Sequence, residues 1–190
     1  RIKPLDASMR FSGPAMTVDA EPRDCLPVQP AIALSRPGDV LVISNGGHDG
    51  AAVIGDNVAA MARNQGLAAI VTDGLVRDIE GILAADIPVF CCGVSPNSPY
   101  AYGPGRVGIP IAISRSVIQP GDMIVGDRDG VVVIPRGVAR DIANKAIEYD
   151  DLEEWIRRRL DAENQTPGVY YPPDDEVIAI YRKWKSEQRN

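Results

Sequence analysis

Histidine, cysteine and phenylalanine are scarce in this chain: one, three and two among 190 residues. The lone histidine, His48, excludes zinc sites built from several imidazoles and leaves any catalytic triad dependent on one residue. Three cysteines, an odd count, with no secretory signal peptide at the start, argue against a disulfide framework. Cys91 and Cys92 end the apolar run Ile87-Pro88-Val89-Phe90 and read as buried strand thiols. No apolar run approaches the ~20 residues needed to span a bilayer. The expectation is therefore a soluble, cytoplasmic protein with no membrane partner. Basic charge is also short. Twenty Lys and Arg stand against 26 Asp and Glu, giving a net charge of -6 and a pI of about 4.8. A nucleic-acid partner is not expected, because no surplus of cations is left to neutralise phosphates.

What is present suits a packed domain. Hydrophobic residues make up 45% of the chain, rich in Ala, Val and Ile, and the length fits one domain with an appendage or two small ones. Residues 13–20 alternate like a strand, and Pro30 to Ser35 reads as a short helix. The turn Pro37-Gly38-Asp39 precedes a strand at Val40-Leu41-Val42-Ile43. A glycine-rich loop, residues 44–50, follows. The spacing predicts a helix over 51–65, with Ile54, Val58, Met61 and Ala62 on one face and Gly66 as its stop. Residues 67–71 read as a buried strand, 77–84 as a short helix and 87–91 as another strand. This rhythm implies parallel strands joined by right-handed crossovers, with ligands gathering at the strands' carboxyl ends.

Residues 95–105 are rich in Pro, Gly, Ser and Tyr and read as an irregular loop. From 107 to 135 the pattern is β with tight turns. There Pro120-Gly121-Asp122 echoes residues 37–39, and Asp127-Arg128-Asp129-Gly130 reads as a hairpin turn. A helix is predicted over 138–160, with Val138, Ile142, Ala146, Tyr149, Leu152 and Ile156 as its apolar face. Residues 167–173 break it, and a last amphipathic helix runs from Asp174 to about Lys185. The acids Glu148, Asp150, Asp151, Glu153 and Glu154 read as a solvated helix face.

The pattern with most chemistry in it is Asp56, a twenty-residue spacer, and the pair Arg77-Asp78. Asp56 stands at a predicted helix start, directly after Gly55. Exposed N–H groups there could hold a carboxylate. Taken alone, Asp56 is equally an ordinary first-turn acid complementing the helix dipole. Arg77-Asp78 follows a buried strand and an Asp73-Gly74 turn, and taken alone could be a surface ion pair. Together, a carboxylate that can hold a divalent cation and a guanidinium that can hold an oxyanion form a minimal kit for stabilising an enolate. His48-Asp49 read as solvated loop residues. The loop is not a P-loop, because it lacks the Lys-Ser/Thr ending.

The ordered pieces Gly13-Pro14-Ala15-x-Thr17-Val18, Pro37-Gly38-Asp39, Gly55-Asp56, Asp73-Gly74-x-x-Arg77-Asp78, Gly108-Ile109-Pro110-Ile111 and Pro120-Gly121-Asp122 together resemble the RraA-like family. That family includes class II pyruvate aldolases acting on 4-hydroxy-4-methyl-2-oxoglutarate and 4-carboxy-4-hydroxy-2-oxoadipate. The resemblance covers roughly residues 1–150. It implies an α/β/β/α sandwich of the swivelling, phosphohistidine-domain-like type, assembled as a homotrimer or hexamer with sites between subunits. On this basis residues 1–160 form the catalytic domain. Residues 161–190 form a tail packed on it or on a neighbouring subunit. The resemblance further implies that Asp78 is the protein ligand of Mg2+ or Mn2+. Arg77 would bind the substrate's keto oxygen, the amides of Gly55, Asp56, Asn57 and Val58 would cradle its carboxylate, and Asp56 would hold metal-bound water. An acid of an adjacent subunit, with Glu148, Glu153 and Glu154 as candidates, would complete the site. The implied function is a lyase that cleaves a 4-hydroxy-2-oxo acid to pyruvate and a second oxo acid, with oxaloacetate decarboxylase side activity. The family also holds regulators of an RNA-degrading enzyme. These tend to lose the second Asp of the pair, which this chain keeps. A different metal-dependent 2-oxo acid enzyme is the third reading.

Overall fold

A computed structural model describes residues 1–164 and 168–188. In chain order, the first unit contains β1 (Lys3–Pro4), β2 (Phe11–Asp19), α1 (Val28–Leu34), β3 (Val40–Ser44), β4 (Ala52–Ile54), α2 (Asp56–Asn64) and β5 (Ala69–Thr72). It continues with β6 (Leu75–Val76), α3 (Ile79–Ala84), β7 (Val89–Cys91), β8 (Arg106–Val107), β9 (Ile111–Ile113), β10 (Ser116–Ile118), β11 (Met123–Asp127) and β12 (Gly130–Ile134). Two helices follow, α4 (Ala139–Glu163) and α5 (Asp175–Glu187). The chain divides into compact units Arg1–Ala139 and Arg140–Asn190.

The main sheet runs β1-β7-β5-β3-β2-β11-β12, with β8 added beside β2. Its middle pairs β2–β3, β3–β5 and β5–β7 are parallel, as the sequence rhythm implied, and its ends are antiparallel. The sheet curls until its ends meet: Lys3 Nζ of β1 donates to the Asp129 carbonyl beside β12, at 2.5 Å. The result is a nearly closed, barrel-like sheet in a mixed α/β fold.

Strand alternation assigns the two faces. Leu41 and Ile43 of β3 point to the helices and pack with Val28 and Ile32 of α1, Ala59 and Ala62 of α2 and Ile82 of α3. Val40 and Val42 point the other way, into a second cluster with Phe11, Phe90, Ile124 and the β9–β10 hairpin residues Ile111, Ile113 and Ile118. The small residues of the helix face let α1 to α3 lie close to the sheet.

The repeated Pro-Gly-Asp is one turn used twice. Asp39 accepts from the Arg36 N–H at 2.7 Å, and Asp122 from the Gln119 N–H at 2.9 Å, each three residues back. Gly38 and Gly121 sit at φ +90° and +84°, where a side chain would be strained. Asp127 pairs with Gly130 across the expected β11–β12 hairpin.

Three expectations need correction. The helix predicted over 51–65 begins only at Asp56, because Ala52–Ile54 pairs in parallel with β6 and is a strand. The helix predicted from Arg77 begins at Ile79, because the Arg77 N–H is tied to the Ile54 carbonyl of β4 and Asp78 takes a left-handed conformation, φ +57°. Of the six residues predicted for the apolar face of the long helix only two are buried, and Val138 lies exposed just before α4 begins. Leu152 and Ile156 are buried, but Ile142, Ala146 and Tyr149 are exposed, because α5 packs only against the second half of α4.

The second unit has its own core. Trp155 is surrounded by Tyr170, Tyr181 and Trp184, with ring centroids 5.7–6.3 Å away. Asp174 caps α5 by accepting from the Glu176 and Val177 N–H groups. Within the predicted helix break at 167–173, Pro167 lies outside the described residues. The acidic run is exposed apart from the half-buried Glu153. Glu154 pairs with Arg158, and Asp151 with Lys185. No helix among the described residues is long and apolar enough to cross a membrane.

Candidate functional site

Two short parallel strands position the site. β4 leads into Gly55 and then α2, and β6 leads into Arg77, Asp78 and α3. Ala52 faces Leu75 and Ile54 faces Val76 across the pair. The Arg77 N–H donates to the Ile54 carbonyl at 3.1 Å, so the chain leaves both strands at the same level. Residues more than twenty positions apart in sequence thereby become neighbours.

Gly55 is the point of closest approach. A Cβ built there would lie 2.6 Å from Asp78 Oδ2 and 3.3 Å from Arg77 Cγ. Its backbone is extended, φ -140°, so the requirement for glycine is space rather than conformation. Arg77 Nε lies 3.2 Å from Asp78 Oδ2, with both side chains about two-fifths exposed. Arg77 Nη1 donates to Ser98 Oγ at 2.6 Å. Asp78 holds positive φ, a conformation that non-glycine residues adopt at a cost and that clusters at functional sites.

α2 begins at Asp56 with no side-chain cap on Gly55. Its first-turn N–H groups point out of the helix end, where the dipole favours negative charge. One of them is already engaged: the Asn57 N–H donates to Asp56 Oδ1 at 2.7 Å. Asp56, Gly55, Asn57 and Val58 thus lie on one helix end, beside Arg77 and Asp78.

Asp78 also suits a hard cation. It offers a solvent-accessible carboxylate, and Mg2+ or Mn2+ characteristically takes one or two protein carboxylates and keeps several waters. Among the described residues no group of three or more His, Cys, Asp or Glu side chains is arranged to hold an ion. A lone accessible carboxylate of this kind would supply one protein ligand to such an ion.

The glycine-rich loop forms a second feature at the strand ends. A cavity of about 720 Å³ is lined there by Gly46, Gly47, His48, Asp49, Asp73 and Cys92, among others. Asp73 accepts from the Asn45 and Gly47 N–H groups at 2.6 and 3.1 Å. Burial pushes its carboxyl above the usual range, and those two bonds offset only part of the rise. His48 folds back over Gly50, and its Nε2 is buried without a hydrogen-bond partner among the described residues. The cysteines are all free. Cys91 is buried, as expected, but Cys92, just past the end of β7, is only half-buried. Burial raises all three thiols above their ordinary pKa.

Sequence reasoning missed Ser98. Its loop was legible as irregular, but nothing local to residues 95–105 marks one hydroxyl as the partner of an arginine 21 positions earlier.

The model of the RraA-like family, described as Aldolase/RraA, matches residues 1–133. A Halalkalibacterium halodurans protein named "Putative 4-hydroxy-4-methyl-2-oxoglutarate aldolase" is 41% identical over 163 residues, which are 86% of this chain and 77% of that protein. An Arabidopsis thaliana protein named "Putative 4-hydroxy-4-methyl-2-oxoglutarate aldolase 3" is 32% identical over 65% of this chain and 74% of its own length. Among solved structures, Streptomyces coelicolor RraAS2, described as an unusual member of the RNase ES inhibitor RraA protein family, superposes with a TM-score of 0.73. It is 29% identical, over 83% of this chain and 82% of that one. The curled sheet with helices on one face is thus the RraA fold, as the sequence motifs implied. This chain belongs to the RraA-like family.

Proposed function

We propose that the chain is a lyase, a class II pyruvate aldolase that cleaves a 4-hydroxy-2-oxo acid to pyruvate and a second oxo acid. The observation that carries this reading is the convergence of Gly55–Asp56 with Arg77–Asp78 across β4 and β6. The names of the aldolase relatives support it.

The free N–H groups at the start of α2 receive the substrate's C1 carboxylate. The Arg77 guanidinium faces the C2 keto oxygen and stabilises the negative charge that grows there as the C3–C4 bond breaks. Asp56 holds the water that takes the C4 hydroxyl proton, so the C4 oxygen becomes the carbonyl of the second product. The electron pair of the broken bond passes into the pyruvate enolate, and water returns a proton to C3. Asp78 is the residue that would hold Mg2+ or Mn2+, which when bound supplies Lewis-acid polarisation of the 2-oxo acid. Oxaloacetate would lose CO2 through the same enolate. The assembly proposed is a homotrimer or hexamer in which Glu148, Glu153 or Glu154 of a neighbour reaches the site.

The test is pyruvate release from 4-hydroxy-4-methyl-2-oxoglutarate and from oxaloacetate, coupled to lactate dehydrogenase, with Mg2+ or Mn2+ and then with EDTA. Ion-dependent pyruvate from both substrates is expected. No pyruvate from either would overturn the aldolase reading and put the regulator reading in its place. That rival is favoured by one observation, the likeness to an RNase ES inhibitor family member.

A further inference from the structure

We infer that Ser98 is a positioning residue that holds the Arg77 guanidinium in its working orientation; this rests on the proposed role of Arg77. A guanidinium has three nitrogen corners. In Arg77, Nε lies in an ion pair with Asp78 Oδ2 at 3.2 Å, and Nη1 makes the directional contact, a hydrogen bond to Ser98 Oγ at 2.6 Å. No protein partner is recorded for the third corner, Nη2, among the described residues. The ion pair draws the group toward Asp78, the Ser98 hydrogen bond sets its plane, and Nη2 is left for a ligand oxygen.

Ser98 is itself held against the other half of the site. The adjacent Asn97 accepts from the Ala52 N–H through its backbone carbonyl at 3.0 Å. Its side-chain amide donates to the Gly50 carbonyl at 2.9 Å. Ala52 is the first residue of β4, the strand that delivers Gly55 and Asp56. The loop therefore references Arg77 to the strand that carries the carboxylate-binding helix end.

Ser98 is exposed, and an exposed neutral hydroxyl adds little to folding stability. Its worth lies in the order it imposes on a long, rotamer-rich side chain before substrate arrives. A purely structural serine would act the other way round, on stability and not on turnover.

The test uses Ser98→Ala and Ser98→Thr in the full chain. With 4-hydroxy-4-methyl-2-oxoglutarate and Mg2+, Ser98→Ala should lower kcat on the order of 10- to 100-fold with little change in KM. Its melting temperature should match the wild type. Ser98→Thr keeps the hydroxyl and should recover most of the rate. In an Arg77→Lys background, Ser98→Ala should add no further loss. A wild-type kcat in Ser98→Ala, or a loss that Thr does not repair, overturns the inference. A readout independent of activity separates this from the aldolase reading. By 15N NMR, the Arg77 guanidinium, assigned through Arg77→Lys, should show restricted Nη rotation in the wild type and free rotation in Ser98→Ala. Equal rotation in both overturns the inference even in an active enzyme. A wild type that releases no pyruvate overturns the aldolase reading instead.

Discussion

Gly81 of α3 faces Asp56 of α2 so closely that a Cβ on Gly81 would lie 2.5 Å from the Asp56 Cβ. The contact joins the first turns of two helices whose caps are Gly55 and Asp78. Gly55 makes the matching approach from the other side, toward Asp78 and Arg77. Two absent side chains thus set the spacing of the three charged ones.

Gly81→Ala separates this view from simple helix propensity. Alanine in a helix interior is ordinarily worth about 1 kcal/mol more than glycine, so an unconstrained site would gain stability. Here the added methyl meets the base of the Asp56 side chain, not a flexible tip. Thermal melting should therefore show no gain, and pyruvate release should fall because Asp56 is displaced. Gly55→Ala should reduce turnover more strongly, since it pushes on Asp78 and Arg77 together. A stabilised, fully active Gly81→Ala would mean that the helices part without consequence.

Arg77→Ala should divide activity from stability. Its pair with Asp78 is about two-fifths exposed, and such pairs contribute about 0–1 kcal/mol. Loss of a donor aimed at developing charge costs about 10²- to 10³-fold in kcat. Urea titration and steady-state kinetics on one preparation should show a large second effect and a small first one. Asp78→Ala should abolish the response of activity to added Mg2+. A variant that remains fully active and Mg2+-dependent would remove Asp78 from the role of ion ligand.

Much of this was legible in the residues. The Pro-Gly-Asp turns, the Asp127–Gly130 hairpin and the parallel order of β3, β5 and β7 follow from local turn chemistry and alternation. β4 was not legible. Ala52-Val53-Ile54 is in phase with the helix that follows, and only its distant partner β6 makes it a strand. The expected start of α3 at Arg77 fails for the same kind of reason: the Arg77 N–H is taken by Ile54 of β4 before the helix can claim it. Asp56, Arg77 and Asp78 could be picked out by spacing and residue type. Their meeting depends on Gly55 and Gly81 having no Cβ, which is a fact of three-dimensional approach. The exposed first half of α4 could not be foreseen either, because periodicity names an apolar face without saying how much of it a partner covers.

Asp24 should make stability pH-dependent. Burial alone would raise its carboxyl, but the Leu26, Tyr102 and Gly103 N–H groups donate to it at 2.7–3.0 Å and bring it below the ordinary value. A carboxyl lowered by folding stabilises the protein above its unfolded pKa, and that contribution is lost as pH falls through the folded pKa. Asp24→Asn should therefore be clearly less stable than wild type in urea at pH 7. The gap should narrow as the pH drops below the ordinary carboxylate range. A gap of constant size would show that the loop joining residues 24–26 to 100–103 does not depend on the charge.

Trp155 offers the sharpest test of the helix pair. Its ring is buried among Tyr170, Tyr181 and Trp184, but its Nε1 is buried without a hydrogen-bond partner among the described residues. Packing and polarity therefore pull in opposite directions at one residue. Trp155→Ala removes the packing and should cost about 3–5 kcal/mol, enough to open a unit of two helices. By hydrogen exchange, amides of α5 and of the second half of α4 should lose protection. Those of β3 and β5 should keep theirs, because the core of residues 1–139 is built from different side chains. Trp155→Phe keeps an aromatic ring and deletes the unpaired donor, so the loss of volume is offset by relief of its desolvation penalty. Its loss of stability should be clearly smaller than that of Trp155→Ala. If Phe proves as damaging as Ala, the indole N–H has a partner that holds the helix pair together, and Trp155 serves as more than a packing residue.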